Sequence, residues 1–169
     1  MKVTFAWTIA LAVALWPVAP PAAAPRCYPT SRFVVQTGGL VQDTLTQLVW
    51  QQDGSGTRTG CSGSGNLTCT WAEAQAYCAG LTLGGLSGWR LPSVKELSSL
   101  VDFTVAYPGP AINATAFPNT PSAVFWTSAP YLGTPVYPSS SGYAWRVSFY
   151  DGSSNDGDAG NSHRVRCVR

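Results

Sequence analysis

The sequence predicts an α+β domain of two helices and a small antiparallel sheet, with long loops and disulfide ties. Three observations carry that prediction. Two stretches, "TWAE" at 70–73 and "SVKE" at 93–96, have the Ser/Thr-x-x-Glu spacing with which a helix caps its own first turn. Several short runs of β-branched and aromatic residues lie between Gly, Pro and Asp turn signals. All five cysteines follow an N-terminal leader, in a chain that carries 17 Gly and 13 Pro.

The leader spans residues 1–24. Lys2 precedes an apolar run from Val3 to Ala19, and Ala22-Ala23-Ala24 supplies the small residues of a cleavage site, the order of a secretory signal peptide. The run is short for a membrane span of about 20 residues, and Pro17, Pro20 and Pro21 end it. No span is expected after cleavage, and the product is expected to be secreted or at the cell surface. Residues 25–32 then form a short segment ahead of one domain over 33–169. Ten Lys/Arg against eight Asp/Glu leave a net charge of +2, too near neutral for nucleic-acid binding through bulk charge. With 12% aromatic and only 11% charged residues, the chain has the bulk for a core and reads as compact rather than disordered.

Taken in order, 33–36 ("FVVQ") and 47–51 ("QLVWQ") read as strands, with Gly38-Gly39 and Asp43-Thr44 as turn signals between them. Residues 52–69 are a Gly/Ser/Thr loop. Thr70 opens the first helix, where Trp71, Glu73, Ala74, Cys78 and Leu81 matter: Glu73 completes the cap and the others share one face. The second helix starts inside "GWRLPSVKEL" (88–97). Ser93 and Glu96 cap it, Val94, Leu97, Leu100 and Val101 form its buried stripe, and Pro92 stops it extending backwards. In the same corner Trp89 and Leu91 offer bulk to the core. Arg90 is expected in a buried or half-buried pair with a carboxylate or loop carbonyls.

Residues 102–123 read as a long ordered loop and "VFWTSA" (124–129), with Trp126, as a short buried strand. "YAWRVSFY" (143–150) and "HRVRCVR" (163–169) read as a terminal hairpin around a polar turn. A symmetric turn sets Trp145 opposite Cys167 and Arg146 opposite Arg166. Cys61 and Cys69 bracket "SGSGNLT" and are expected to close it. Cys78 and Cys167 would then join mid-chain to end, leaving Cys27 free, paired between chains, or competing for one of these partners.

Enzyme templates fail. There is one histidine, His163, no G-x-S-x-G elbow, no C-x-x-C or paired His, and no Gly-rich phosphate loop before a helix. Glu73 and Glu96 are explained by their caps. No catalytic residue and no cofactor is therefore expected. In the polar turn Asp151, Asn155, Asp156, Asp158 and Asn161 offer oxygen ligands of the type Ca²⁺ takes, although their spacing is not that of an EF-hand loop and such clusters are ordinary turn material. The ligand candidates are Arg146, Arg164, Arg166 and Arg169 on the hairpin, whose guanidinium groups suit sulfate and carboxylate, with Tyr143, Tyr150 and Tyr137 to stack on sugar faces. The competing reading is a solvated strand face paired with the neighbouring aspartates. Sequons at Asn66 and Asn113 sit in loops.

"DTLTQLVWQ", "TWAEAQAYCAGL", "GWRLPSVKEL", "FWTSAPY", "AWRVSFYDG" and "RVRCVR", in this order, resemble the Lcl C-terminal domain family over about residues 33–169. The resemblance implies a C-type-lectin-like fold with a helix cysteine tied to the last strand, which fits Cys78 with Cys167. It also implies kinship with surface adhesins that bind sulfated glycosaminoglycans, often as trimers on a collagen-like stalk, although this chain carries no G-x-y stretch. The Glu-Pro-Asn and Trp-Asn-Asp signatures of animal C-type lectins are absent, and the reactive cysteine pair of formylglycine-generating enzymes has no counterpart. The expected function is an exported, non-enzymatic recognition domain binding extracellular glycans, adhesin-like. The alternative is a surface or matrix protein that binds a protein partner through the 102–142 loops.

Overall fold

The computed structural model describes residues 32–133 and 142–169; the leader, Cys27 and Tyr137 lie outside them. Two three-stranded antiparallel sheets flank two short helices. The first sheet is a meander of β1 (Phe33–Gln36), β2 (Leu40–Asp43) and β3 (Val49–Gln51). Next come α1 (Trp71–Gly80) and α2 (Val94–Ser98). The second sheet holds β4 (Val124–Pro130), β5 (Tyr143–Ser148) and β6 (Ser154–Asp158). Among the described residues no helix is long and apolar enough to cross a membrane.

The meander has one strand more than the sequence reading. "LVQD", taken there as connection, is β2, and its buried Leu40 and Val41 give it a core face that the exposed β1 lacks. β3 starts at Val49 rather than 47, because Gln47 has φ 61° and belongs to the turn. That turn is set by Asp43, whose Oδ1 accepts from the Leu45 amide at 3.0 Å. Arg32 forks onto the same carboxylate at 3.0 and 2.5 Å and donates to the Ser99 carbonyl, tying the sheet to the end of α2. Burial alone would raise the Asp43 pKa, but Arg32 and the turn's hydrogen bonds outweigh it and hold the carboxyl low.

Both capping boxes form as the spacing predicts. Glu73 Oε2 accepts from the Thr70 amide at 2.9 Å, and Glu96 Oε2 from the Ser93 amide at 2.7 Å. α1 buries Ala74 and Cys78, while half-buried Trp71 donates its indole N–H to the Thr127 carbonyl at 2.8 Å. α2 is only five residues long. Leu97 on it and Leu100 and Val101 just beyond it enter the core. Trp89 and Leu91 are buried as expected. Arg90 finds its carboxylate, donating to both Glu96 oxygens at 2.8 and 2.7 Å, but its side chain is 50% exposed and not buried.

The terminal hairpin differs most. β5 turns at 149–153 and pairs with β6, setting Trp145 against Asp156 and Arg146 against Asn155, not Cys167 and Arg166. The expected polar turn therefore contains a strand. "HRVRCVR" runs instead along the far edge of β4, where Trp126 N donates to Arg164 O and Arg164 N to Val124 O, both at 3.0 Å. It then exchanges hydrogen bonds with Arg90 at Val168 and with Val49 at Arg169, and accepts one from Gln51 at Cys167. One extended segment thus stitches both sheets to the 88–97 corner.

Alternation along that segment feeds two cores. Val165 and Cys167 enter a cluster with Cys61, Cys69, Cys78 and Trp126, while Val168 joins a cluster with Phe117, Phe125 and Phe149. The disulfides are Cys61–Cys69 and Cys78–Cys167. The indole that shares the disulfides' cluster is Trp126, fully buried with its N–H on the Cys69 carbonyl at 2.8 Å; Trp145 is half-buried and meets Tyr131 edge-on.

Candidate functional site

The four terminal arginines do not form a surface cluster. Arg146 lies across β6 at Gly157, where any Cβ would stand 2.6 Å from its Cζ. It donates to Asn155 Oδ1 at 2.8 Å and meets His163 Nε2 at 2.6 Å. Burial first, then the Arg146 charge, lowers the His163 pKa to about 4. The ring is therefore neutral at neutral pH, and its Nε2 accepts a hydrogen bond from Arg146 Nη1. Arg164 is half-buried and donates to the Ser55 carbonyl at 3.2 Å. Of the four, only Arg169 is exposed.

Arg166 is fully buried and cannot touch a ligand at the surface. Its guanidinium carbon stands 4.6, 5.6 and 5.8 Å from the ring centres of Phe117, Phe125 and Phe149. Nη2 donates to Thr120 Oγ1 at 2.7 Å and to the Gln52 carbonyl at 3.3 Å, while Nε and Nη1 have no hydrogen-bond partner among the described residues. Desolvation first, then nearby Arg58, lowers its pKa to about 9, so it stays charged at neutral pH. Gly54 covers it: a Cβ there would sit 2.7 Å from Nη2, so only glycine lets the loop approach. Arg58, which the sequence reading passed over, is buried too and binds the carbonyls of Asp53, Gly56, Thr57 and Val165. These arginines are internal staples. The signal in the sequence was its setting, since Arg166 lies between Val165 and Cys167 and two residues before Val168, all apolar and buried.

The calcium candidates do not converge either. Asn155 is taken by Arg146, Asp158 Oδ1 by the Gly160 amide, Asp151 Oδ1 by Ser153, and Asp156 lies on β6 opposite Trp145. Among the described residues no group of three or more His, Cys, Asp or Glu could hold a metal ion. The strand that splits the polar run sends neighbouring side chains to opposite faces.

The fold also leaves a group of aromatics exposed. Phe103 and Tyr107, on the loop after α2, are 71% and 68% exposed, and Tyr150 beyond β5 is 40% exposed. Tyr107 and Tyr150 meet edge-on with ring centres 4.7 Å apart, and their hydroxyls share a hydrogen bond. Phe103 lies over Gly152, whose Cβ position is 2.6 Å from the Phe103 ring. The loop is braced from beneath: Asp102 Oδ1 accepts from the Thr104 amide and hydroxyl, and Asp102 N donates to Ala111 O. Asp151 stands beside the tyrosines, its carboxyl held low chiefly by hydrogen bonds from Ser153. This tip unites Tyr150 with two aromatics that sequence reading missed. Their signal was aromatic residues set without periodicity among Pro and Gly. Tyr143 starts β5 at the far end, roughly 20 Å from Tyr150 at strand spacing, and does not join.

The two sequons separate in the same way. Asn66 is exposed, whereas Asn113 is buried and its Oδ1 accepts from the Thr115 and Ala116 amides. No curated protein matches the chain. The family model described as the Lcl C-terminal domain matches residues 39–169.

Proposed function

The chain belongs to the Lcl C-terminal domain family, and we propose that it is a non-enzymatic recognition domain of an exported, adhesin-like protein that binds extracellular glycans. The observation that carries the reading is the exposed tip of Phe103, Tyr107 and Tyr150 beside Asp151. Aromatic faces left in water next to a fixed acceptor suit pyranose rings, which present C–H faces and hydroxyl donors at once. Export is supported by the leader in the sequence and by two disulfides, which persist in oxidising compartments. A C-type-lectin-like arrangement is supported by the tie between Cys78 on α1 and Cys167 on the last segment.

Selectivity for sulfated glycosaminoglycans finds less support. Arg166 is buried, and half-buried Arg146 and Arg164 donate to Asn155 and the Ser55 carbonyl, leaving Arg169 as the exposed one of the set. The protein-partner reading rests on the same tip and on Leu132, which is 86% exposed. A glycan array of the intact protein, run with and without calcium and repeated with Tyr107→Ala and Phe103→Ala, tests both. Hits lost in these variants support glycan recognition. A blank array, with capture of a defined surface protein through the same residues, supports the alternative.

A further inference from the structure

A second concave surface lies along α1, and the tip does not use it. Thr59, Glu73, Ala76, Tyr77, Leu81 and Thr82 line a cleft of about 340 Å³. That volume is at the lower end of the range of small-ligand sites, about 300–1,000 Å³, and suits one ring rather than a polymer. Its chemistry is mixed. Tyr77, Ala76 and Leu81 supply an apolar wall, and Thr59 and Thr82 supply hydroxyls at the edge.

The charges around the cleft decide what it can take. Tyr77 is fixed from behind by the Arg58 guanidinium, 5.4 Å from the ring centre, and its hydroxyl accepts from Gln51 at 2.9 Å. Arg58 spends Nη1 and Nη2 on backbone carbonyls, and its buried Nε has no hydrogen-bond partner among the described residues. Glu73 accepts from the Thr70 and Ser62 amides at 2.9 and 3.3 Å, and among the described residues no cation stands within ion-pair distance of it. Hydrogen bonds, first from the Ser62 side chain and then from these amides, lower its pKa, so the carboxylate is ionised at neutral pH. A carboxylate offers about four acceptor sites, and the Ser62 side chain with the two backbone amides leaves part of it open to a hydroxyl donor from a ligand. A sulfate or carboxylate on the ligand would instead face the like charge of Glu73, which has no ion-pair partner among the described residues.

We infer that this cleft is a carbohydrate subsite for a single uncharged pyranose, stacked on the Tyr77–Leu81 wall with its hydroxyls donating to Glu73. This deepens the glycan reading by naming the class of sugar and a place for it apart from the tip.

Titration of the intact protein with methyl glycosides of glucose, galactose and mannose and with N-acetylglucosamine, followed by amide NMR to tens of millimolar, tests it. At least one should shift the amides of residues 59–60 and 73–82 saturably, and its 6-sulfated form should bind more weakly. Ala76→Arg places a guanidinium in the cleft from an exposed helix position and should weaken binding at least about tenfold with an unchanged melting temperature. Glu73→Gln keeps the cap and should weaken it about fivefold. Tyr107→Ala should leave these shifts intact while it abolishes array binding, so the two sites fail separately. No saturable shift for any sugar, shifts that survive Ala76→Arg, or tighter binding of the sulfated form would overturn the assignment.

Discussion

Two aromatic groups meet at consecutive residues, one wrapped round a cation and the other bare. Phe149 is fully buried and, with Phe117 and Phe125, encloses Arg166; Tyr150 is 40% exposed and joins Tyr107 and Phe103 at the tip. The inner group already holds the charge its ring faces attract, a contact worth about 2 kcal/mol when desolvated. The outer group is braced by hydrogen bonds at Asp102 and keeps its rings in solvent. An arginine-rich stretch of sequence can therefore turn largely inward while unremarkable loop aromatics stay in solvent.

The largest expected loss comes from releasing the segment that bears Arg166. Replacing Cys78 and Cys167 by Ala opens a bridge between residues 89 apart, and loop-closure entropy puts the cost at about 4–5 kcal/mol. The same change at Cys61 and Cys69, 8 residues apart, should cost about 2–3 kcal/mol. Urea denaturation of the two double variants gives the order; equal losses would mean that Cys167 is not what anchors the last segment.

Arg166 itself comes next. Arg166→Ala empties a space among three rings and should cost about 2–5 kcal/mol. Arg166→Met keeps the bulk and removes two nitrogens that have no hydrogen-bond partner among the described residues, so it should cost under about 1.5 kcal/mol. If Met is as damaging as Ala, the guanidinium hydrogen bonds to Thr120 and Gln52 matter more than the packing.

Acid should weaken the sheet beside the last segment before it touches the tip. His163 has its pKa lowered from 6.5 to about 4, so the unfolded chain binds the proton more readily. The stability this contributes is full above pH 6.5 and is lost as pH falls towards 4. Glu96, lowered from 4.5 to about 2 chiefly by Arg90, adds a second loss below pH 4.5. His163→Gln keeps an acceptor for Arg146 and should flatten the pH profile of the melting temperature in the upper window alone. Smallest of all, Phe103→Ala or Tyr107→Ala should change stability by no more than about 0.5 kcal/mol, as exposed positions do.

Local chemistry was legible in the sequence, and long-range pairing was not. Thr70-Glu73 and Ser93-Glu96 announced both helix starts because a capping box is complete within four residues. Cys78 was readable as buried from helical spacing. β6 was hidden because Ser, Asn, Asp and Gly are poor strand formers, and only pairing with β5 makes them one. Once β6 filled that place, "HRVRCVR" had to pair elsewhere, and the expected arginine face dissolved with the register. Phe103 and Tyr107 were passed over for the opposite reason: a Pro- and Gly-rich loop carries no period from which exposure can be read.

The most direct test compares two variants against one glycan drawn from the array, by calorimetric titration at fixed salt. Phe103→Ala with Tyr107→Ala removes the tip, and Arg169→Ala removes the exposed terminal arginine. Recognition through the tip predicts at least about a hundredfold loss for the first and less than about twofold change for the second. Undiminished binding by the tip variant, with loss in Arg169→Ala, would contradict it and return recognition to the terminal arginines.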